Sequence, residues 1–254
     1  MQVTDLGASG RWSAMQDESA GVRVRDSGLD MLEQAVIECA PGASVERATD
    51  QAEEVLFVVA GAGELSLAGV RHPLEPETGA YLAPGEEYEL HNRGSEPMRV
   101  VSVRIPDPVA PDASGASERA VVRRLADQEA QDATTARTFR IVADPSTGLR
   151  SATHFVGYVP TERAPEHFHT YDEVIYILEG QGALHTEGSR TPVVAGSFIE
   201  LPARTVHCLE NTGEDTMRLV AVFRPAGSPA AAYYPDGTPA YPGTPPVLSA
   251  SRTL

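Results

Sequence analysis

Apolar residues along this chain come in short runs rich in β-branched and aromatic side chains, and helical spacing is scarce. Val55–Val59 and Val174–Leu178 are two such runs, each closed by Gly-x-Gly. Val100–Ile105 and Arg218–Phe223 are similar, and each follows a turn-rich stretch. Runs of this kind fit a pleated, buried surface. The chain is punctuated by 20 prolines and 22 glycines. Many short strands separated by turns predict an all-β sandwich or barrel.

The pattern occurs twice. Glu54-Val-Leu-Phe-Val-Val-Ala-Gly61-Ala-Gly63 aligns with Glu173-Val-Ile-Tyr-Ile-Leu-Glu-Gly180-Gln-Gly182, an offset of 119 residues. Asn92, Gly94, Met98 and Arg99 match Asn211, Gly213, Met217 and Arg218 at the same offset. Between these blocks, Gly79-Ala-Tyr-Leu82 pairs with Gly196-Ser-Phe-Ile199 once a gap of two residues is allowed. Three blocks in one order make the chain a tandem repeat. The expected division is a first unit over 1–105, a linker over 106–120, a second unit over 121–225 and a Pro-rich tail over 226–254. The tail carries Tyr233, Tyr234 and Tyr241. It either stays disordered or lies across a barrel with its tyrosines docked.

Length and charge narrow the function classes. The 254 residues, 41% hydrophobic, suffice for one large domain or two small ones with cores of their own. A formal net charge of -16 argues against nucleic acid and against an anionic membrane surface as partners. No apolar stretch approaches the roughly 18 residues needed to span a bilayer, and the first residues lack the pattern of a signal peptide. Two cysteines, Cys39 and Cys208, have no metal-type spacing. A cytoplasmic location without structural disulfides is the expectation.

The second half holds the candidate chemistry. Glu166-His167-Phe-His169-Thr-Tyr-Asp-Glu173 precedes Gly180, and Gly196-Ser-Phe-Ile-Glu-Leu-Pro202-Ala-Arg-Thr-Val-His207-Cys-Leu-Glu-Asn211 follows. On a strand, His167 and His169 point to one face. Glu173 starts the next strand after a bend, and His207 arrives from a distant one. Four such donors can enclose one cation. Three imidazoles and a carboxylate suit Mn, Fe, Co, Ni or Zn rather than Ca or Mg.

These two stretches resemble the paired motifs of the cupin family. The first motif fits from His167 to Gly180, with Thr161 in place of its leading Gly. The second fits at Gly196, Pro202, His207 and Asn211, with Arg204 in place of its inner Gly. The resemblance implies two tandem cupin domains, each a double-stranded β-helix or jelly-roll barrel. It also implies His167, His169, Glu173 and His207 as ligands of one divalent transition metal (Fe, Mn, Ni, Co or Zn) in the second barrel. In the first half, Ala48, Asp50 and Glu54 stand at the equivalents of His167, His169 and Glu173, and Tyr88 or Glu89 at that of His207. No transition metal is expected there. Arg204 could place a cation at the barrel mouth.

Other residues are singled out on position. His154, in the run Leu149–Val159, is either a base or substrate contact beside the metal or an ordinary core or surface histidine. Arg140 is a candidate for a substrate carboxylate. Ile175, Ile177 and Leu209 share strand parity with Glu173 and His207 and are expected to line the cavity, while Cys208 should point away. The expected function is a metal-dependent oxygenase acting on a small organic substrate, with Glu173 doubling as a base. The alternatives are a non-oxidative isomerase, cyclase or lyase, and a non-catalytic small-molecule-binding module. The two fused barrels either satisfy the usual cupin pairing within one chain or pair again as a homodimer through an exposed sheet edge.

Overall fold

A computed structural model describes residues 2–4, 21–110 and 119–247, without the side chains of 2–4. Parts of the expected linker (111–118) and tail (248–254) therefore lie outside the described residues. The first strands are β1 (Gln2–Thr4), β2 (Val22–Leu29), β3 (Leu32–Cys39), β4 (Ser44–Ala48) and β5 (Glu53–Ala60). Next come β6 (Gly63–Leu67), β7 (Val70–Leu74), β8 (Thr78–Leu82), β9 (Glu87–Asn92) and β10 (Met98–Ile105). The second half contains β11 (Val122–Arg124), β12 (Gln131–Asp132), β13 (Thr138–Ala143), β14 (Thr153–Val159) and β15 (Asp172–Glu179). It ends with β16 (Gln181–Thr186), β17 (Ser189–Val194), β18 (Phe198–Leu201), β19 (His207–Asn211) and β20 (Met217–Arg224).

These strands build two jelly-roll barrels, each a large sheet packed on a small one. The first combines the order β11-β8-β5-β10-β3-β2 with β4-β9-β6-β7, and the second combines β1-β18-β15-β20-β14-β13-β12 with β17-β16-β19. The edges are exchanged between halves. Near the N-terminus, β1 pairs with β18 of the second barrel, whereas β11 pairs with β8 of the first. Each half thus lends a short strand to the other, across the ranges 1–105 and 121–225 read from the sequence.

The continuous apolar runs have a direct explanation. On β15, Val174 and Tyr176 pack into the core between the barrels, while Ile175 and Ile177 pack inside the second barrel. On β5, Val55 and Phe57 face the inter-barrel core, and Leu56 and Val58 face the first barrel's interior. Both faces are buried, so the polar half of the usual alternation is absent. Each such side chain contributes roughly 1.5–3 kcal/mol of apolar burial. The interface is also specific in its polar contacts. Glu53 accepts hydrogen bonds from Tyr81 Oη (2.9 Å) and from the backbone N–H groups of Arg150 (3.0 Å) and Ser151 (3.1 Å).

The repeated Gly-x-Gly has two separate causes. Gly61 and Gly180 take positive φ, 74° and 90°, to turn the chain out of β5 and β15. Gly63 and Gly182 let a neighbouring strand come close, because a Cβ there would sit 2.2 Å from His91 O and 2.0 Å from Glu210 O. Among the described residues, no helix is long and apolar enough to cross a membrane.

Candidate metal centre

The two histidines at spacing two lie on an extended segment that bridges to β19. His167 and His207 exchange backbone hydrogen bonds (3.0 and 2.8 Å), which sets their side chains beside each other on the interior face. Phe168 exchanges a second pair with Tyr233 of the tail (2.9 and 3.0 Å). His169 is held from below by Tyr171, stacked at 4.6 Å between ring centroids, and Tyr171 rests on Phe223 at 3.9 Å. The outcome is a cluster of three imidazoles, one nitrogen from each lying within 4.8 Å of the others.

Each ring is anchored by its far nitrogen. His167 Nδ1 bonds to Pro165 O (3.0 Å), His169 Nδ1 to Ala231 O (2.8 Å) and His207 Nδ1 to Thr205 O (2.8 Å). A carbonyl oxygen only accepts, so each Nδ1 carries the proton and each Nε2 keeps a free lone pair. Burial pushes all three rings below their ordinary pKa, and His207 reaches about 3; mutual repulsion lowers His169 and His207 further. The imidazoles are therefore neutral at physiological pH and ready to ligate. Nitrogen donors with fixed tautomers fit a divalent transition ion.

The cluster opens onto a cavity of about 100 Å³. Glu173, Ile175 and Leu209 line it, as their parity predicts. Glu173 is buried, and that burial raises its carboxyl to about 8. Its oxygens are not part of the close cluster, which the three imidazoles form without it. Ile177 is sealed in the same core but does not reach the cavity wall. Cys208 points the other way, with Sγ on Ala164 O at 2.9 Å. Both cysteines are free and buried.

Two other expected pocket residues lie elsewhere. His154 has the opposite parity to Phe155, which lines the cavity, so its ring faces the first barrel and meets Phe57 edge-on at 6.0 Å. Its Nδ1 has no hydrogen-bond partner, and burial lowers its pKa to about 3. It is a core histidine of the interface. Arg140 points away from the cavity and donates to the carbonyls of Leu125 (3.2 Å) and Ala126 (3.4 Å). Arg204 is exposed at φ 65°, a left-handed position that Gly85 fills in the first barrel at φ 82°.

Some cavity residues gave little sign of themselves. Phe139 and Phe155 come from β13 and β14, and their apolar parity was the available signal. Arg137 stands just before β13 with the parity of Phe139, and nothing local marks it. Pro229, Ala230 and Ala232 come from the tail, which docks over 226–247 rather than staying disordered. Tyr233 is buried there with its hydroxyl on Pro245 O (2.8 Å), and Tyr241 packs on the barrel core.

The first barrel fills the same place differently. Arg47 pairs with Tyr88 across β4 and β9, as His167 pairs with His207. Arg47, rather than Ala48, is thus the counterpart of His167, because the first half carries one extra residue before Glu54. Its guanidinium contacts Tyr88 Oη (2.9 Å) and Glu54 (3.4 Å). Tyr88 (2.9 Å) and Ser102 (2.6 Å) both donate to Glu54. Asp50 turns out to meet Arg104.

Comparison with known proteins agrees with this architecture. The family model described as Cupin domain matches residues 35–104 and 154–223, more than half of the chain. Auxin-binding protein 1 of Arabidopsis thaliana is 35% identical over 78 residues, covering 27% of this chain and 39% of that protein. The matched segments span less than half the length of the curated relatives. Among solved structures, protein Ylba from E. coli superposes with a TM-score of 0.72 at 13% identity, covering 87% of this chain and 89% of the other. A mutant of Bacillus subtilis oxalate decarboxylase gives 0.70 at 13% identity, covering 92% and 81%. At such identities the likeness shows the fold.

Proposed function

The chain belongs to the cupin family, and from that premise we propose that its second barrel is the centre of a metal-dependent enzyme acting on a small organic substrate. The observation that carries this reading is the set of three Nδ1–H···O=C anchors, which aim three Nε2 lone pairs at one point. Bond directions like these cost entropy, and a neutral structural core has no use for them. His167, His169 and His207 would hold one divalent transition ion, with Glu173 beside them as a fourth donor or as a base. Such an ion supplies Lewis acidity and, where redox-active, access to dioxygen, which makes oxygenation the proposed chemistry. Ile175, Leu209, Phe139 and Phe155 give the cavity an apolar wall. In the first barrel, the Arg47 guanidinium stands where a ligand would, and no transition metal is proposed there.

The test is elemental analysis of the full chain purified without chelators or metal-affinity resin, beside His207→Ala. About one equivalent of Mn, Fe, Co, Ni or Zn is expected. The variant should lose it with an affinity drop above about 100-fold, beyond the 10- to 100-fold cost of losing an outer-shell partner. A wild type that is empty and cannot be reloaded sinks the proposal and leaves a binding module. Oxygen consumption by the metal-loaded protein, on addition of small hydroxy-keto acids, separates an oxygenase from a non-oxidative isomerase, cyclase or lyase.

A further inference from the structure

Arg137 is the cavity's one guanidinium among the described residues. It lines the same cavity as the three imidazoles. Among the described residues, no carboxylate lies within ion-pair distance of it, although most of the other described arginines have one. Its Nη2 donates instead to Leu209 O, two residues from His207, and the guanidinium also lies against the Cys208 thiol at the edge of β19. The backbone holds it there at a cost. Thr135 and Ala136, just before it, both have positive φ, 57° and 53°. Left-handed geometry at a non-glycine residue costs roughly 1–2 kcal/mol each, and strain of this kind gathers where a side chain must be aimed. The loop is closed by Ala133 N–H to Arg137 O (2.8 Å) and Arg137 N–H to Thr134 O (3.2 Å).

We infer that Arg137 is the substrate-recognition residue of this site, and that the substrate is a small organic carboxylate. The inference rests on the metal-dependent reading above. Three neutral imidazoles bring no charge to the cavity. A divalent ion and a guanidinium together exceed what Glu173 alone can neutralise, and a mostly apolar cavity penalises the excess. A carboxylate set between the ion and Arg137 halves that excess, with the guanidinium fork donating to its oxygens. The apolar wall of Phe139, Phe155, Ile175 and Leu219 takes the rest of the molecule. A cavity of about 100 Å³ keeps it small, since drug-sized ligands need roughly 300 Å³ or more.

The test uses the full chain loaded with cobalt(II), its cobalt content measured first. Acetate and pyruvate are titrated against their neutral amides, acetamide and pyruvamide, with the cobalt visible absorption as readout. The carboxylates are expected to bind at least about 10-fold tighter than the amides. Arg137→Gln should weaken them about 10- to 100-fold, the loss of a charge-assisted hydrogen bond, with cobalt content and amide binding unchanged. Arg137→Lys should recover part of the difference. Equal binding of acids and amides by the wild type overturns the inference, as does equal carboxylate binding by wild type and Arg137→Gln. Failure to take up cobalt at all overturns the metal reading as well, and the initial metal measurement tells the two failures apart.

Discussion

The two barrels share a strand plan and differ in what they place at its centre. In the first, Arg47, Tyr88 and Ser102 converge on Glu54 Oε1, and Arg47 also bonds Tyr88 Oη. In the second, His167, His169 and His207 turn their protonated nitrogens outward to backbone carbonyls and leave lone pairs inside. The first barrel carries its cation covalently, as a guanidinium, and the second, under the proposed function, would take one from solution. A single repeat thus carries a salt-bridged polar cluster in one copy and a cluster of three imidazoles in the other, on the same strand plan.

The largest effect expected within this comparison comes from removing the built-in cation. Arg47→Met leaves Glu54 buried beside two hydroxyls and should cost about 3 kcal/mol, the usual penalty for breaking a buried pair. Urea unfolding measures it, and metal content of the second barrel should not change. An unaltered midpoint would mean that the cluster does not hold the first barrel together.

A smaller effect separates the interface positions. His154 and Gln34 are equivalent, since they pair with Val222 and Val103 at the repeat offset. The folded pKa of His154 is about 3 against an unfolded value of about 6.5. Below pH 6.5 the unfolded chain takes up a proton that the folded chain refuses. Stability should therefore fall as the pH drops from 6.5 toward 3, by about 2 kcal/mol at pH 5 from this residue alone. His154→Gln, which copies the first barrel, should flatten that part of the slope. Denaturant midpoints at pH 5 and 7.5 for both proteins decide the matter, and identical slopes would count against it.

The smallest expected effect concerns the turn before β19. Arg204→Gly copies Gly85 and relieves a left-handed backbone, so it should stabilise the protein by about 1 kcal/mol. The Arg204 N–H to His169 O bond (2.7 Å) is made by the backbone and survives. Calorimetry should show a slightly higher Tm with full metal content. A lower Tm would assign the exposed guanidinium a role of its own.

Much of this site was legible because its signals are local. His167, His169 and His207 declare themselves by spacing, and Glu173 by its place at the head of a strand. The rest depends on register. His154 and Phe155 are adjacent, and a shift of one residue exchanges which of them enters the cavity. One extra residue in the first half moves the counterpart of His167 from Ala48 to Arg47. Arg137, inside, and Arg140, outside, differ in strand parity alone, and which parity faces the cavity is set by register.

The amino-acid sequence by itself determined the strands, the repeat and the three imidazoles, since each follows from side-chain type at short, fixed spacing. Only the tertiary structure decided that β1 and β11 cross between barrels, that the tail roofs the cavity, and that Ala231 O orients His169. Those are contacts between segments far apart in the chain, and their selection comes from packing and hydrogen-bond satisfaction across the whole fold rather than from any one stretch.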